Sequence, residues 1–361
     1  KFLVNSDGSL GERNDVKPVG VEHKLGIHSS PTCTLAFGDN GGAVGYLVGE
    51  ENKGLQCMFT MMNNARLSVG HQGVSLGERA YQQAVAYAAD RVQGRAAGVE
   101  GRAAIIHHSD VKRMLMQMRA LTEGGRAMSY YAIAAEDRSS HHPDEQVRSQ
   151  NAQLVELLTP LVKGWCTEVS MESTSLGVQV HGGMGFIEET GAAQHMRDAR
   201  ILPIYEGTNG IQALDFIGRK CLRDGGQAVQ LLLADMQATV DQLASAHGSV
   251  VDLRNRLRHG IEQCQEALNY VLENSSDSQG IAYNFMMMYG NTVAYWLLVK
   301  LAAAAQDRLA AGETDRFYNQ KIATADFFST QILPRNSGYL AALVFGADSF
   351  EALEPADFMQ A

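Results

Sequence analysis

The sequence contains no basic run. Its 40 aspartates and glutamates outnumber 30 lysines and arginines, which leaves a formal net charge of −10. Binding nucleic acid by neutralising phosphates calls for the opposite balance, so no nucleic-acid partner is expected. There is no CxxC pair either. Cys33, Cys57, Cys166, Cys221 and Cys264 are scattered along the chain. A zinc site or a disulfide frame needs closer, paired spacing. Free thiols fit a reducing compartment, and the expected location is cytoplasmic. No apolar run reaches membrane-spanning length; the nearest, around Tyr295–Ala305, is broken by Lys300. Internal repeats and low-complexity tracts are lacking. So is an initiator methionine. The start, Lys1-Phe2-Leu3-Val4, reads like the middle of a strand. The chain is therefore expected to be part of a longer polypeptide.

What is present is a globular composition. Of 361 residues, 45% are hydrophobic and 19% charged, enough apolar material for two or three domains. Residues 1–54 read as β structure. Asp7-Gly8 and Asp39-Asn40-Gly41-Gly42 are turn signals, with short runs at Thr32–Phe37 and Ala43–Val48. This is too little for a closed sheet and looks like the second half of a β domain. From Leu55 to about Arg91 the chain has no proline and reads as a helix. Gly70, Gly73 and Gly77 share one face of it. Each costs about 1 kcal/mol against alanine in a helix, so something comes close to that backbone. Both a neighbouring helix and a ligand satisfy the pattern.

Residues 92–103 form a glycine-rich loop, and a helix is expected from Asp110 to Asp137, ahead of a polar break at Ser139–Pro143. Leu154, Leu158, Leu161, Trp165, Val169, Leu176 and Val180 then follow helical spacing, with Pro160 as the candidate bend. That helix stops at His181-Gly182-Gly183. After Gly218 the character changes. Val250, Leu253, Leu257, Ile261, Cys264, Leu268 and Val271 form one apolar face, and helices over 281–311 and 314–333 follow. No chemical motif occurs in residues 219–361, which read as an added bundle for packing or assembly.

One short stretch carries chemistry: Ile204-Tyr205-Glu206-Gly207-Thr208-Asn209-Gly210-Ile211-Gln212. Pro203 discourages a helix from running into it. Thr208 or Asn209 can cap the helical spacing that resumes at Ile211. Glu206 therefore belongs at a tight turn before a helix. A carboxylate drawn out of water holds a proton more readily, which suits a general base near neutral pH. The plainer alternative is an acid that favours the helix dipole.

The stretch from Gln179 to Gln212 resembles the acyl-CoA dehydrogenases. Three elements recur in order: a QxxGGxG turn, Met196-Arg197-Asp198-Ala199, and Tyr205-Glu206-Gly207-Thr208. Upstream, Asn63-Asn64-Ala65-Arg66 and the helix ending Tyr87-Ala88-Ala89-Asp90-Arg91 resemble the family's substrate and cofactor helix. Lys24-Leu25-Gly26 and Gly49–Gly54 resemble the second half of its middle domain. The tail resembles the extra domain of a larger bacterial subgroup, which includes enzymes acting on fatty acyl-CoA and on 3-methylmercaptopropionyl-CoA. The implied fold is mainly α: an acyl-CoA dehydrogenase-like four-helix bundle over 55–218, preceded by part of a β-barrel-like middle domain over 1–54 and followed by an extra helical bundle over 219–361. The family's N-terminal part is expected to be absent from this chain.

The resemblance implies FAD-dependent oxidation of an acyl-CoA to its trans-2-enoyl-CoA, with hydride transfer to flavin N5 and electrons passed to an electron-transferring flavoprotein. Glu206 takes the role of α-proton base. Its backbone N–H and a flavin ribityl hydroxyl polarise the thioester carbonyl. Relatives that place the base elsewhere use the residue before the helix arginine; here that is Ala65, which takes no proton. Glu188 and Glu189 read as solvated loop acids. Arg66, Asn63 and Tyr205 take the substrate-binding positions, Asn63 where relatives often carry an aspartate. For Arg66 a surface ion pair is the plainer alternative. Arg91, Gln179, Gly182, Gly183, Thr208 and Gly210 take the cofactor-binding positions. Arg91 reaches the flavin pyrophosphate across a homodimer interface. Gly210 replaces a usual glutamine, and Val92-Gln93-Gly94-Arg95 departs from a usual Phe-Gly pattern. His181 reads as structural. His107 and His108 point apart, so no metal is expected. An oxidase-like use of oxygen is the alternative reading. A non-catalytic family scaffold fits less well with the acidic charge and the retained Glu206.

Overall fold

The computed structural model describes residues 1–359, apart from the side chains of Thr60 and Ser349. The last two residues of the expected 219–361 segment lie outside it. The chain divides into two compact units, 1–63 and 64–361.

The first unit holds two separate hairpins. β1 (Phe2–Val4) pairs antiparallel with β2 (Leu10–Arg13), and β3 (Val16–Val21) with β4 (Cys33–Phe37). Gly8 turns the first hairpin at φ 82°. The Asp39–Gly42 turn is gathered by Asp15, whose carboxylate accepts from the Asn40 N–H at 2.6 Å. The strand expected over 43–48 is not formed. Val44 exchanges both backbone groups with the Asn14 side chain, each at 2.9 Å, and Tyr46, Leu47 and Val48 stay exposed. An apolar run without a partner strand has no ladder to join. α1 (Gly54–Asp90) starts in this unit.

Among the described residues the second unit is built of helices, with one isolated antiparallel bridge, Val92 to Ala104. Its long members are α1, α2 (Ser109–His141) and α3 (Glu145–His181). The glycine face of α1 is explained by packing. A Cβ on Gly70 would stand 2.6 Å from the Val162 carbonyl oxygen, and one on Gly73 would stand 2.8 Å from that of Cys166. Gly77 faces Thr122 and Ser173. A neighbouring helix, α3, fills the space that the ligand reading required, so that reading falls. α2 runs past the expected polar break because the Ser139 hydroxyl donates to the Glu136 carbonyl and stays within the helix. α3 continues unbroken through Pro160 and ends at Gly182, φ 61° and ψ −138°, a conformation suited to glycine.

Short elements follow: α4 (Ala192–Ala199), α5 (Asn209–Leu214) and a π-helical turn, Asp215–Arg219. Then come α6 (Gln227–Gln242), α7 (Ser249–Glu273), α8 (Ser278–Ala310), α9 (Arg316–Gln331), α10 (Arg335–Val344) and α11 (Asp348–Glu351). The apolar face read for α7 is buried almost to the residue. α6 and α10 were not anticipated by the periodicity. α8 is apolar nearly all round and packs on α2, α3 and α5 as well as α7, α9 and α10. One continuous core therefore joins Leu121, Leu158 and Trp165 to Phe216, Tyr289 and Phe328. Among the described residues no helix is long and apolar enough to cross a membrane.

Candidate active site at the Glu206 turn

Between α4 and α5 the chain folds into a closed loop. The Tyr205 N–H donates to the Ile201 carbonyl at 3.0 Å, and the Asn209 N–H to the Pro203 carbonyl at 3.0 Å. Thr208 caps α5, its hydroxyl accepting from the Ile211 N–H at 3.2 Å. Within this loop Glu206 has φ 56°, followed by Gly207 at φ 80°. A left-handed glutamate costs about 1–2 kcal/mol, so its surroundings must hold it there. Gln212, with no solvent exposure, does so. Its Nε2 donates to the Glu206 and Gly207 carbonyls, each at 3.3 Å. The Glu206 N–H donates to no acceptor among the described residues.

A polar floor lies under the turn. Arg66 on α1 is 8% exposed, with Nη1 4.0 Å from Asp215 Oδ2. A Cβ on Gly207 would stand 3.8 Å from Arg66 Nη2, so the guanidinium sits directly beneath the loop. Asp215 also receives Arg219 Nε at 2.6 Å. Lys163 on α3 donates to Asn209 Oδ1 at 2.9 Å. Burial pushes its ammonium down to about 8; Glu168 and Glu206 oppose that fall and Arg66 adds to it. Two buried atoms here have no partner among the described residues, Arg66 Nε and Gln212 Oε1. Tyr205 closes one side, its hydroxyl donating to Gln72 Oε1 at 2.5 Å. Burial, with Glu206 adding, raises that phenol above its ordinary value.

Residues 52–222 match the family model of the acyl-CoA dehydrogenase C-terminal domain, and residues 232–354 match an acetyl-CoA dehydrogenase C-terminal-like domain. The chain belongs to the acyl-CoA dehydrogenase family. It is 46% identical over 97% of its length to a 3-methylmercaptopropionyl-CoA dehydrogenase of Ruegeria pomeroyi, covering 60% of that protein. It is 35% identical over 92% of its length to the broad-specificity linear acyl-CoA dehydrogenase FadE5 of Mycobacterium tuberculosis, covering 58% of it. The chain thus spans about three fifths of the curated relatives it matches. In fold it is similar to an acyl-CoA dehydrogenase of Bacillus anthracis complexed with FAD. The TM-score is 0.73 at 22% identity, over 96% of this chain and 58% of that one. Caenorhabditis elegans ACDH-11, in complex with C11-CoA, is similar at TM-score 0.73 and 19% identity, over 91% and 55%. These likenesses agree with a mainly α, bundle-based fold.

Set on this family member, the positions named from sequence fall into separate groups. Glu206, Tyr205, Thr208 and Arg66 come together at the turn. Arg66 lies well inside α1. It is no surface ion pair, since both it and Asp215 are buried. Gln179, Gly182 and Gly183 lie exposed where α3 ends, and nothing stands within 4 Å of a Cβ at either glycine. In the same turn it is Gly185 that packing demands, against the Val178 carbonyl. Arg91 is exposed just past α1 and makes no ion pair among the described residues. Gly210 is exposed with room for a side chain. Asn63 is exposed on α1 and belongs to the 1–63 unit. His181 is buried, bonds the Gly177 carbonyl at 2.7 Å and stacks on Tyr87, which agrees with a structural role. His108 bonds the Gln93 carbonyl. Glu188 is held by Arg197 at 2.7 Å. Lys163, Gln212 and Asp215 were not picked out from sequence, and Asn209 was read only as a possible helix cap. The one available signal was a lysine inside the apolar run Leu157–Cys166.

Proposed function

We propose that the protein carrying this chain performs FAD-dependent α,β-dehydrogenation of an acyl-CoA thioester to the trans-2-enoyl-CoA. The observation that carries the reading is the turn itself. Glu206 is held in a costly conformation whose N–H is left without a partner, and such strain clusters at functional sites. The Glu206 carboxylate accepts the α-proton. Its N–H donates to the thioester oxygen as negative charge gathers there. Gln212 and Arg66 keep the turn in place, so Arg66 acts here as a support beneath the base rather than as an exposed contact for CoA.

The residues present fit a flavin dinucleotide. Arg91 offers a guanidinium that makes no ion pair among the described residues and has the geometry that suits a pyrophosphate, and the Gly182–Gly183 backbone is open to close approach. Gln179 adds a side-chain amide at the end of α3, beside Gly182, while Thr208 stands apart at the Glu206 turn as the cap of α5. Bound FAD supplies the acceptor for the hydride that leaves the β-carbon. Electron-transferring flavoprotein as partner, a homodimer as assembly and a cytoplasmic location complete the proposal; the cysteines, all unpaired, agree with the last.

The test is anaerobic addition of acyl-CoAs of different chain length to the flavin-loaded protein. Bleaching of the flavin absorbance is expected with at least one of them. No bleaching by any would overturn the reading, and rapid reoxidation in air would move it to an oxidase. A second expected outcome concerns Arg91→Ala. A charged hydrogen bond contributes about 1.5–3 kcal/mol, so FAD affinity should fall by roughly tenfold or more. The ratio of flavin to protein absorbance after dialysis reads this. A ratio equal to wild type would remove Arg91 from the cofactor site.

A further inference from the structure

The glycine turn that follows α3 is fastened to α1 by Gln83. Residues 182–191 first close on themselves. The Thr190 hydroxyl lies 2.8 Å from both the Met184 and the Ile187 carbonyl oxygens. The Ile187 N–H donates to the Met184 carbonyl and the Thr190 N–H to the Ile187 carbonyl, each at 3.2 Å. Gly191 then leads the chain into α4 at φ 77°. The Thr190 carbonyl goes to α1: Gln83 Nε2 donates to it at 2.5 Å.

That bond fixes the direction of the Gln83 amide. With its nitrogen on Thr190, its oxygen meets His195 of α4, whose Nε2 lies 2.8 Å away. An amide oxygen only accepts, so His195 Nε2 carries a proton. Burial, with Arg79 adding, holds this imidazole below its ordinary value, so near neutral pH that proton is its single one. Both side chains are half-buried. A hydrogen-bonded chain thus runs from α4 through α1 to the turn.

Gln83, Tyr87 and Arg91 follow one another at intervals of four, which sets them along one side of α1. Tyr87 stacks on His181, the residue just before Gly182, with ring centroids 4.4 Å apart. The Arg91 N–H still donates to the Tyr87 carbonyl at 2.9 Å, so Arg91 continues the helical path. Tyr87 and Gln83 therefore hold the two ends of the glycine turn, residues 181 and 190, against the helix that leads to Arg91.

We propose that Gln83 and His195 are positioning residues for the cofactor: the His195–Gln83–Thr190 chain holds the Gly182–Gly183 backbone in register with Arg91, so that both meet one flavin dinucleotide. This rests on the reading of Arg91 and the glycine turn as cofactor contacts. Gly182 and Gly183 are exposed, and a Cβ on either would have open space around it. Close approach of a ligand to such a backbone works best when the loop is already ordered, because ordering it on binding takes from the affinity. The two bonds of Gln83 supply that order from outside the loop.

The experiment measures the FAD dissociation constant of the flavin-stripped protein, with circular dichroism confirming each variant's fold. Gln83→Leu should weaken FAD roughly three- to tenfold, as expected for the loss of one or two neutral hydrogen bonds. Gln83→Glu keeps the oxygen that faces His195 but loses the donor to Thr190, and should weaken FAD likewise. His195→Leu should also weaken it, while His195→Gln, which keeps an N–H for Gln83 Oε1, should restore the affinity. A histidine that only fills space would give the reverse order, with leucine nearer to wild type. A side chain in Gly183→Val meets nothing in the fold, so its effect on FAD reports the approach of the cofactor to the turn. Once that contact is spoiled, adding Gln83→Leu should weaken FAD no further, whereas a general effect on the fold would add. Gln83→Leu with wild-type affinity, or full additivity with Gly183→Val, would overturn the proposal while leaving the turn as a cofactor contact. Gly183→Val with wild-type affinity would instead overturn the turn as a cofactor contact, and the positioning role with it.

Discussion

Glu206→Gln is expected to leave FAD bound and to slow its bleaching by acyl-CoA by roughly 10³-fold or more, toward the upper end of what a positioned general base contributes. The substitution keeps the volume of the side chain and removes its ability to take a proton. The turn should survive it. What holds Glu206 at φ 56° acts on the backbone: Gln212 Nε2 donates to the carbonyls of residues 206 and 207, and Asn209 closes the loop on Pro203. The oxyanion donor, the N–H of residue 206, is also backbone and is retained. Among the described residues the other carboxylates by the turn are engaged, Asp215 with Arg66 and Arg219, and Glu168 with Asn209. Glu188 is held by Arg197, Glu189 is exposed in a different turn, and Ala65 has nothing to ionise. Stopped-flow absorbance under anaerobic conditions reads the rate, and the melting temperature checks the fold. Bleaching near the wild-type rate in a folded, flavin-loaded variant would take Glu206 out of the mechanism.

The parts of this site that were legible in sequence are those set by local chemistry. Pro203 ends the preceding segment, Thr208 caps α5 and a glycine follows Glu206; together they placed the turn correctly. The long helices were legible for the same kind of reason, since the apolar face of α7 and the proline-free run of α1 are periodic patterns. The polar floor was not legible. Lys163 and Asn209, or Arg66 and Asp215, are far apart in sequence, and a lysine or arginine in a helix is ordinarily solvated. Burial of each follows only once α1, α3 and α5 are packed. The 43–48 run failed in the opposite direction. Its composition suits a strand, but pairing is a long-range property, and the backbone groups of Val44 go to an asparagine side chain instead. α6 and α10 were missed because they are short, and their burial depends on packing against α7 and α8 rather than on a long periodic face of their own.

A chain ended after Leu222, where the first family match stops, is expected to lose cooperative unfolding altogether. The reason is the continuity of the core across that point. Trp165 lies against Gly290, too close for any side chain there, and donates to Asn291 Oδ1 at 2.8 Å. Gly124 faces Ala294 and Phe328, Gly164 faces Met286, and Phe216 packs on Phe285 and Tyr289. Ion pairs cross at the same level: Arg335 takes both oxygens of Glu172, at 2.7 and 2.8 Å, and Lys321 meets Glu123 at 2.8 Å. Removing α6 to α11 would expose Trp165, Leu158, Leu161, Leu121 and Phe216 together and strand the Trp165 N–H. Each large apolar side chain returned to water costs about 1.5–3 kcal/mol. Several at once reach the whole stability of an ordinary domain, about 5–15 kcal/mol. The added segment would then be a necessary wall of the catalytic bundle, whether or not it also covers a surface used for assembly. Helix content should persist in the shortened chain while near-ultraviolet dichroism is lost and a hydrophobic dye binds, the pattern of packing lost before secondary structure. A sharp thermal transition within a few degrees of the complete chain, without dye binding, would show instead that residues 219–361 fold as a separable module and that α3 keeps its place without them.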